Sequence, residues 1–262
     1  MIGTGVIGGV IAGLFGVGGG IVIVPVLEYM LRFADVPPEW RLHIAVATSL
    51  ATIIPTSISS TRAHHSRGAV NWSLAKAWAV PMLIGALGGS LLASVAKSAT
   101  LSAVFGTVAT FTSIKMFLPL DNVRLMKAPP RGIGAWVLSA FIGGIAAMMG
   151  IGGGSISVPA MTLGGESIHR AVATSAFFGL IVSVPGTVGY LFARPDAPMP
   201  FGTIGLVSLI GFVIIAPGTV LTAPLGAKIA HGLSRRTLSM LFGVFLFSIA
   251  MRMLYRTFFV VS

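Results

Sequence analysis

The chain contains no cysteine and few charges. The absence of cysteine excludes disulfides and thiol chemistry. Only 9% of the 262 residues are charged, whereas 55% are hydrophobic. So few charged and polar residues do not cover a water-soluble globule of this size. The composition therefore predicts an integral membrane protein in contact with the lipid bilayer.

Acidic residues are scarce as well, with Asp and Glu together numbering 6. None of them forms an inward-facing pair or a nucleophile constellation with a histidine, so an intramembrane enzyme is disfavoured and no catalytic residue is assigned. His64 and His65 have too few neighbouring ligands for a metal site. The chain also lacks a GxxxxGK[ST] nucleotide-binding string. We therefore expect no cofactor, no metal and no ATP-driven pump.

The positive charge is in clear excess, with a formal net charge of +11. The basic residues collect in short connections between apolar runs and form no single stripe, so nucleic acid is not an expected partner. Two explanations stay open. Positive loops are retained on the cytoplasmic side of membranes, and a positive field attracts an anionic substrate.

Two nearly identical glycine-rich strings interrupt apolar segments. The first glycine string, GVGGGIVIVP, covers residues 16–25, and the second glycine string, GIGGGSISVP, covers residues 150–159. Glycine in a helix interior costs about 1 kcal/mol relative to alanine, and proline removes a backbone hydrogen bond. A helix broken there exposes N–H groups that bind anions. The alternative is close helix packing, which we favour for scattered glycines such as Gly85, Gly88 and Gly89.

Further strings recur in the same order. HIAVATS at 43–49 returns as HRAVATS at 169–175, and TLSAVFG at 100–106 returns as TLSMLFG at 237–243. Three matched blocks indicate a duplicated unit. We assign the first repeat to residues 1–120 and the second to 132–262. Between them lies a basic, proline-containing linker at 121–131.

The fold prediction is an all-α polytopic membrane protein with two inverted repeats. Each repeat has a glycine-broken re-entrant helical hairpin and about three transmembrane helices, and an odd number of helices inverts the second half. The basic loop Arg62 to Trp72 and the linker Asp121 to Arg131 are then cytoplasmic. The protein is then expected in the cytoplasmic (inner) membrane, with both termini on its outer side. The helices are expected at 42–61, 74–95, 100–118, 170–192, 203–225 and 237–256.

These motifs resemble the TauE/SafE family of sulfite exporters, also described as sulfonate uptake permeases. The resemblance is based on the paired GxGGGxxxxP strings, the A-x-A-T-S segment after each, and the basic loop ending in GAVNW. It implies transport of a small sulfur oxyanion or organosulfonate, such as sulfite or sulfoacetate. The second copy lacks the basic loop, so no substrate role is assigned to residues 193–202.

Such an anion offers several acceptor oxygens, so it requires converging N–H and O–H donors. Backbone donors are expected at the glycines of both strings: Gly18, Gly19, Gly20, Gly152, Gly153 and Gly154. Hydroxyl donors are expected at matched places in the two halves: Thr48, Ser49, Thr174 and Ser175. The alternative for these hydroxyls is a bond to the helix carbonyl four residues earlier.

Four ionisable residues are candidates for coupling or gating. His43 and His169 titrate near neutral pH, although an interfacial histidine satisfied by backbone is the alternative. Lys115 and Arg252 lie near the ends of matched helices, where the alternative is snorkelling to the interface. The function predicted from the sequence is a secondary transporter of a small sulfur-containing anion, and not an enzyme. A passive anion channel, or less favourably an intramembrane enzyme, remains the alternative.

Overall fold

The computed structural model describes residues 2–34, 36–117, 132–196 and 199–259. In the first half of the chain the helices are α1 (Ile2–Phe15), α2 (Gly20–Met30), α3 (Pro38–His65), α4 (Trp72–Val95) and α5 (Ser98–Phe117), with a 3₁₀ turn at Leu31–Phe33. In the second half they are α6 (Ile133–Met149), α7 (Gly154–Leu163), α8 (Ile168–Leu191), α9 (Leu209–Gly232) and α10 (Arg235–Phe259). The predicted linker, 121–131, lies outside the described residues.

Within the described residues, four helices are long and apolar enough to cross a membrane: α3, α4, α8 and α9. Large apolar side chains face outward from the peripheral members, such as Ile84 and Leu92 on α4 and Val213 and Leu221 on α9. An apolar outer surface of this kind suits lipid and not water. The prediction of a helical, polytopic membrane protein is therefore confirmed. That α5 and α10 also span the membrane stays a prediction.

Helices α3 and α8 form the centre and run antiparallel. Leu50 of α3 contacts Gly186 of α8, and farther along α3 Ser57 contacts Gly179. Increasing residue numbers along α3 thus contact decreasing residue numbers along α8. Most of each helix is buried, so the segments that follow the two glycine strings occupy the core.

The remaining long contacts pair helices from different halves of the chain: α1 packs along α9, α6 along α4, and α5 against α10. Glycines permit the closest approaches. A Cβ atom on Gly85 or Gly89 would collide with the backbone of α6 at Ala140 or Gly144. The packing role expected for these two glycines is confirmed, whereas Gly88 has nothing within 4 Å of an added Cβ.

The helix expected at 203–225 is wrong at both ends. Thr203–Ile204 (β1) pairs antiparallel with Val207–Ser208 (β2), so this part of the chain is a short hairpin and the fold is not entirely helical. The turn contains Gly205 at φ +56°, a conformation that glycine adopts readily. The Ser208 side chain then caps α9 by accepting from the N–H of Gly211 at 3.2 Å. The helix continues to Gly232.

Each glycine string turns the chain back on itself. The first string separates α1 from α2: Gly5 of α1 contacts Ile215 of α9, and Leu27 of α2 returns to the start of the same helix at Gly211. The second string separates α6 from α7. Just after α7, Glu166 accepts from the Asn71 side chain at the start of α4, at 2.6 Å. Both pairs therefore form helical hairpins, and that these hairpins are re-entrant in a membrane stays a prediction.

Candidate functional site

The glycine strings break their helices through left-handed backbone. In the first string Gly16, Gly18 and Gly19 have φ values of +67°, +72° and +78°. In the second string Gly150 and Gly153 have φ values of +68° and +77°. Side chains with a Cβ atom are strained in this conformation, and glycine is not. The predicted helix breaks are thus produced locally, by residues that cannot continue a helix at these angles.

The two strings contact each other in the buried core. The N–H of Gly152 donates to the carbonyl oxygen of Val17 at 3.1 Å. A Cβ atom on Gly20 would collide with the carbonyl oxygen of Gly150, and one on Gly154 would collide with that of Gly16. Only glycine at Gly20 and Gly154 allows the two backbones to approach this closely.

Two serines tie each string to the helix that follows the other string. Ser49 Oγ of α3 donates to the carbonyl oxygen of Gly150 at 2.8 Å. Ser175 Oγ of α8 donates to the carbonyl oxygen of Gly16 at 3.1 Å. The same contact thus occurs twice: each time, a serine from one half of the chain bonds to the glycine string of the other half.

The neighbouring threonines also make a matched pair of contacts, each with a residue from the other half of the chain. Thr48 Oγ1 accepts from the N–H of Ser208 at 2.9 Å, and Thr174 Oγ1 accepts from the N–H of Asn71 at 3.0 Å. Thr174 also donates to the carbonyl oxygen of Arg170 at 2.7 Å, which is the helix bond considered as the alternative. All four predicted hydroxyls therefore already have partners within the protein. Their role in substrate binding stays a prediction.

The predicted amide donors divide into bonded and unbonded groups. The N–H of Gly152 is bonded to Val17, and that of Gly153 is bonded to Ile151 at 2.8 Å. The first N–H groups of a helix have no partner within it. At the start of α7, the amides of Gly154 and Ser155 have no partner elsewhere among the described residues. The same holds at the start of α2 for the amides of Gly18, Gly19 and Gly20.

Comparison with known proteins decides the family. A family model described as "Sulfite exporter TauE/SafE" matches residues 1–253. The chain belongs to the TauE/SafE family. The resemblance noted in the glycine strings is thereby confirmed over nearly the whole sequence.

Relatives of this TauE/SafE chain are named as transporters. A "Probable membrane transporter protein" of Haemophilus influenzae is 32% identical over 258 residues, covering 95% of each chain. The probable membrane transporter protein YunE of Bacillus subtilis is 28% identical, covering 96% of this chain and 95% of its own. A probable membrane transporter of Methanocaldococcus jannaschii is 29% identical, with 90% and 87% covered. No solved structure matches. The chain is a multi-pass membrane transporter.

The two candidate coupling histidines of this TauE/SafE transporter are bonded to backbone. His43 is buried, with Nδ1 at 2.9 Å from the carbonyl oxygen of Glu39 and Nε2 at 2.8 Å from that of Ala96, which caps the C-terminus of α4. His169 Nε2 donates to the carbonyl oxygen of Leu233, the C-cap of α9, at 3.0 Å. Both thus join one helix start to another helix end. A coupling role stays a prediction, and the side chains of Lys115 and Arg252 lie outside the described residues.

One buried histidine was missed by sequence reasoning, which placed His64 in the basic loop. It lies instead in the last turn of α3, fully buried. Its Nε2 donates to the carbonyl oxygen of Gly13 at 2.9 Å, and its Nδ1 lies 3.1 Å from Nε2 of His231. Nothing in the sequence indicates this contact, because His231 is 167 positions away. Across the described residues, no group of three or more potential ligands is placed to hold a metal.

Two open cavities lie at opposite ends of α3. The one near His43 has a volume of about 690 Å³, and its charged lining residues are Glu39, Lys97, Arg194 and Asp196. The other has a volume of about 630 Å³ and lies between α3 and α9. Its polar lining residues are Ser59, Arg62, Ser66 and Arg67. One cavity thus has mixed charge, whereas the other is lined by cations without a carboxylate.

Proposed function

We propose that this chain is a secondary transporter that moves a small sulfur-containing anion, such as sulfite or an organosulfonate like sulfoacetate, across the cytoplasmic membrane. The observation that supports the proposal best is the contact between the two glycine strings. It brings two helix starts with unbonded amides into the buried core. Helix starts of this kind bind anions without a lysine or arginine. The name of the matching family agrees with this substrate class.

We further propose that residues 1–120 and 132–262 are inverted repeats. The exchanged serine and threonine contacts support a twofold relation between the halves. The antiparallel course of α3 and α8 supports inversion, because these helices follow the two matched glycine strings. A twofold axis that reverses a membrane-spanning helix lies in the membrane plane.

The proposed mechanism is alternating access around the glycine contact. In inverted-repeat transporters one part rocks against the other about a site near the membrane midplane. The two cavities at opposite ends of α3 are suited to be the entrances from the two sides. Neither the strings nor the helices need to unfold for such a motion.

The orientation is part of the same proposal: Arg62 to Trp72 and the linker 121–131 face the cytoplasm, and both termini lie outside. The cation-lined cavity with Arg62 and Arg67 supports this, because positive loops remain inside. The cysteine-free chain permits a direct test with Ser66→Cys and Asp196→Cys. An impermeant thiol reagent added to intact cells should label only the cysteine at 196. Labelling at 66 alone would reverse the orientation.

The substrate is tested by ligand-induced stabilisation of the purified protein against sulfite, sulfate, thiosulfate, sulfoacetate, taurine and short carboxylates. A ligand that binds only the folded state raises the melting temperature. We expect stabilisation by sulfite or by a sulfonate. Stabilisation by carboxylates alone would overturn the substrate class.

Transport in proteoliposomes separates the carrier from a passive channel. A carrier shows saturable uptake and exchange of labelled substrate between the two sides. Large unitary currents in a planar bilayer, without exchange, would instead support the channel.

A further inference from the structure

The two glycine strings differ in the residues that follow their glycines. The first string continues with Ile21 and Ile23, and the second has Ser155 and Ser157 at the matching positions. All four side chains are buried. The hydroxyls of Ser155 and Ser157 have no hydrogen-bond partner among the described residues. A buried unpaired hydroxyl is unfavourable and is uncommon without a reason.

Only Ser155 lies beside the unbonded amides at the start of α7. It is the second residue of that helix, next to Gly154. Ser157 is two residues farther on, about 200° around the helix, so it points to a different side. The amide of Ser157 is bonded to the carbonyl oxygen of Gly153 at 2.9 Å, so Ser157 serves as a matched comparison for Ser155.

Helix α3 carries a second unpaired hydroxyl beside the second glycine string. Ser57 is buried, and its Oγ has no partner among the described residues. A Cβ atom on Gly179 would collide with Ser57 Oγ and lie 3.5 Å from the carbonyl oxygen of Gly152, so Ser57 stands next to the second string. The matching residue in the repeat alignment, Ser183, has a partner of its own, since it donates to the carbonyl oxygen of Leu180 at 3.4 Å.

A third unpaired donor lies nearby. Trp78 of α4 is fully buried, and its Nε1 has no acceptor in the described part of the chain. Its ring stacks on Phe178 with centroids 5.9 Å apart, and the Cβ of Phe178 lies 3.9 Å from a Cβ built on Gly153.

The space beside the turn also differs between the two strings. A Cβ atom on Gly19 would lie 2.6 Å from the carbonyl oxygen of Gly8, so the first turn is packed tightly against α1. A Cβ atom on Gly153 would have its nearest neighbour, Val182, at 3.4 Å, an ordinary contact. The second turn therefore has space for a methyl group, whereas the first turn does not.

We propose that the anion is held at the start of α7 alone, by the hydroxyls of Ser57 and Ser155 together with the amides of Gly154 and Ser155. This inference rests on the proposed transport function and narrows its site from two matched strings to one. The oxygens of a sulfur oxyanion accept from these donors and give the two hydroxyls the partner that they lack. At the first string, the free amides are next to Ile21, which offers no further donor. That string serves as the surface against which the second one is fixed.

The experiment compares four alanine variants of the full-length protein in detergent: Ser57→Ala, Ser155→Ala, Ser183→Ala and Ser157→Ala. Sulfite and sulfoacetate are the probes. Ser57→Ala and Ser155→Ala should each weaken binding about tenfold or more, because each removes a hydrogen bond to a charged group. Ser183→Ala and Ser157→Ala should bind within about twofold of wild type.

Melting without ligand separates this site from a structural role. Removing an unpaired buried hydroxyl relieves an unfavourable group, so Ser57→Ala and Ser155→Ala should melt at the wild-type temperature or above.

Two results would overturn the proposal in distinguishable ways. If wild type binds a probe and the Ser57 and Ser155 variants bind equally well, the one-sided site is wrong while the transport function stands. If wild type binds neither probe, the substrate class proposed above is wrong, and this site with it.

Discussion

The two glycine strings enter their second helices through the same left-handed turn and have different surroundings. Gly19 and Gly153 have φ values of +78° and +77°, and each precedes the first residue of a short helix. Yet Gly19 is packed against α1 and its helix continues with Gly20 and Ile21, whereas Gly153 leaves space for a methyl group and its helix continues with Gly154 and Ser155. Glycine fixes the path of the chain, and the neighbouring side chains decide the chemistry. Equal shape therefore does not imply equal function.

The largest loss of stability is expected at Gly20 and Gly154, the matched glycines where the two strings contact each other. Gly20→Ala and Gly154→Ala each push a methyl group into the backbone of the opposite string, which has no flexible side chain to yield. We expect each to lower the unfolding free energy in detergent by about 3 kcal/mol or more. Gly88→Ala, with nothing within 4 Å, is the control and should be neutral or slightly stabilising. Wild-type stability of either string variant would contradict the close contact.

The next largest loss of stability should differ between the two strings. Gly19→Ala and Gly153→Ala both place a Cβ in the left-handed region, at a cost of about 1–2 kcal/mol. Only Gly19→Ala adds a collision, with the carbonyl oxygen of Gly8 at 2.6 Å. We expect it to lose at least about 1 kcal/mol more unfolding free energy than Gly153→Ala. Equal losses would mean that the two turns are packed alike.

The threonines give a smaller effect that is again shared by both halves. Thr48→Val and Thr174→Val leave the N–H groups of Ser208 and Asn71 without their acceptors. The unfolding free energy should fall by about 1–3 kcal/mol in each case. Melting and anion binding are measured on the same samples. Weakened binding at unchanged stability would instead favour the role in substrate binding that the sequence predicts.

Replacing Ser49 or Ser175 should give the smallest loss of stability, and the two losses should differ slightly. Ser49 has one bond, to Gly150 at 2.8 Å, whereas Ser175 shares its hydroxyl between Gly16 at 3.1 Å and Val172 at 2.8 Å. We expect Ser49→Ala to cost about 1 kcal/mol of unfolding free energy and Ser175→Ala less. The opposite order would show that the bond to Gly16 is the stronger one.

Local features of the fold could be predicted from the sequence. Glycine clusters inside apolar runs predicted the breaks between α1 and α2 and between α6 and α7, because left-handed backbone is a property of glycine itself. The hairpin at Thr203 to Ser208 was missed because its apolar residues are also compatible with a helix.

The site was predictable only as a set of residue types. Repetition singled out Thr48 and Ser49 with Thr174 and Ser175, but not their partners, which lie in the other half of the chain. The unpaired hydroxyls of Ser57 and Ser155 could not be identified either. Whether a buried serine has a partner depends on packing between distant segments, and a single sequence does not contain that information.

The exchange of contacts between the halves has a consequence for biosynthesis. Helix α1 packs along α9, and the first string contacts residues 150–154. At about 5–20 residues per second, α1 leaves the ribosome roughly 10–40 s before the helix that covers it. During that interval the face of α1 that later packs along α9 has no partner from the second half of the chain. The contact between the two halves therefore closes only after the second half has been synthesised.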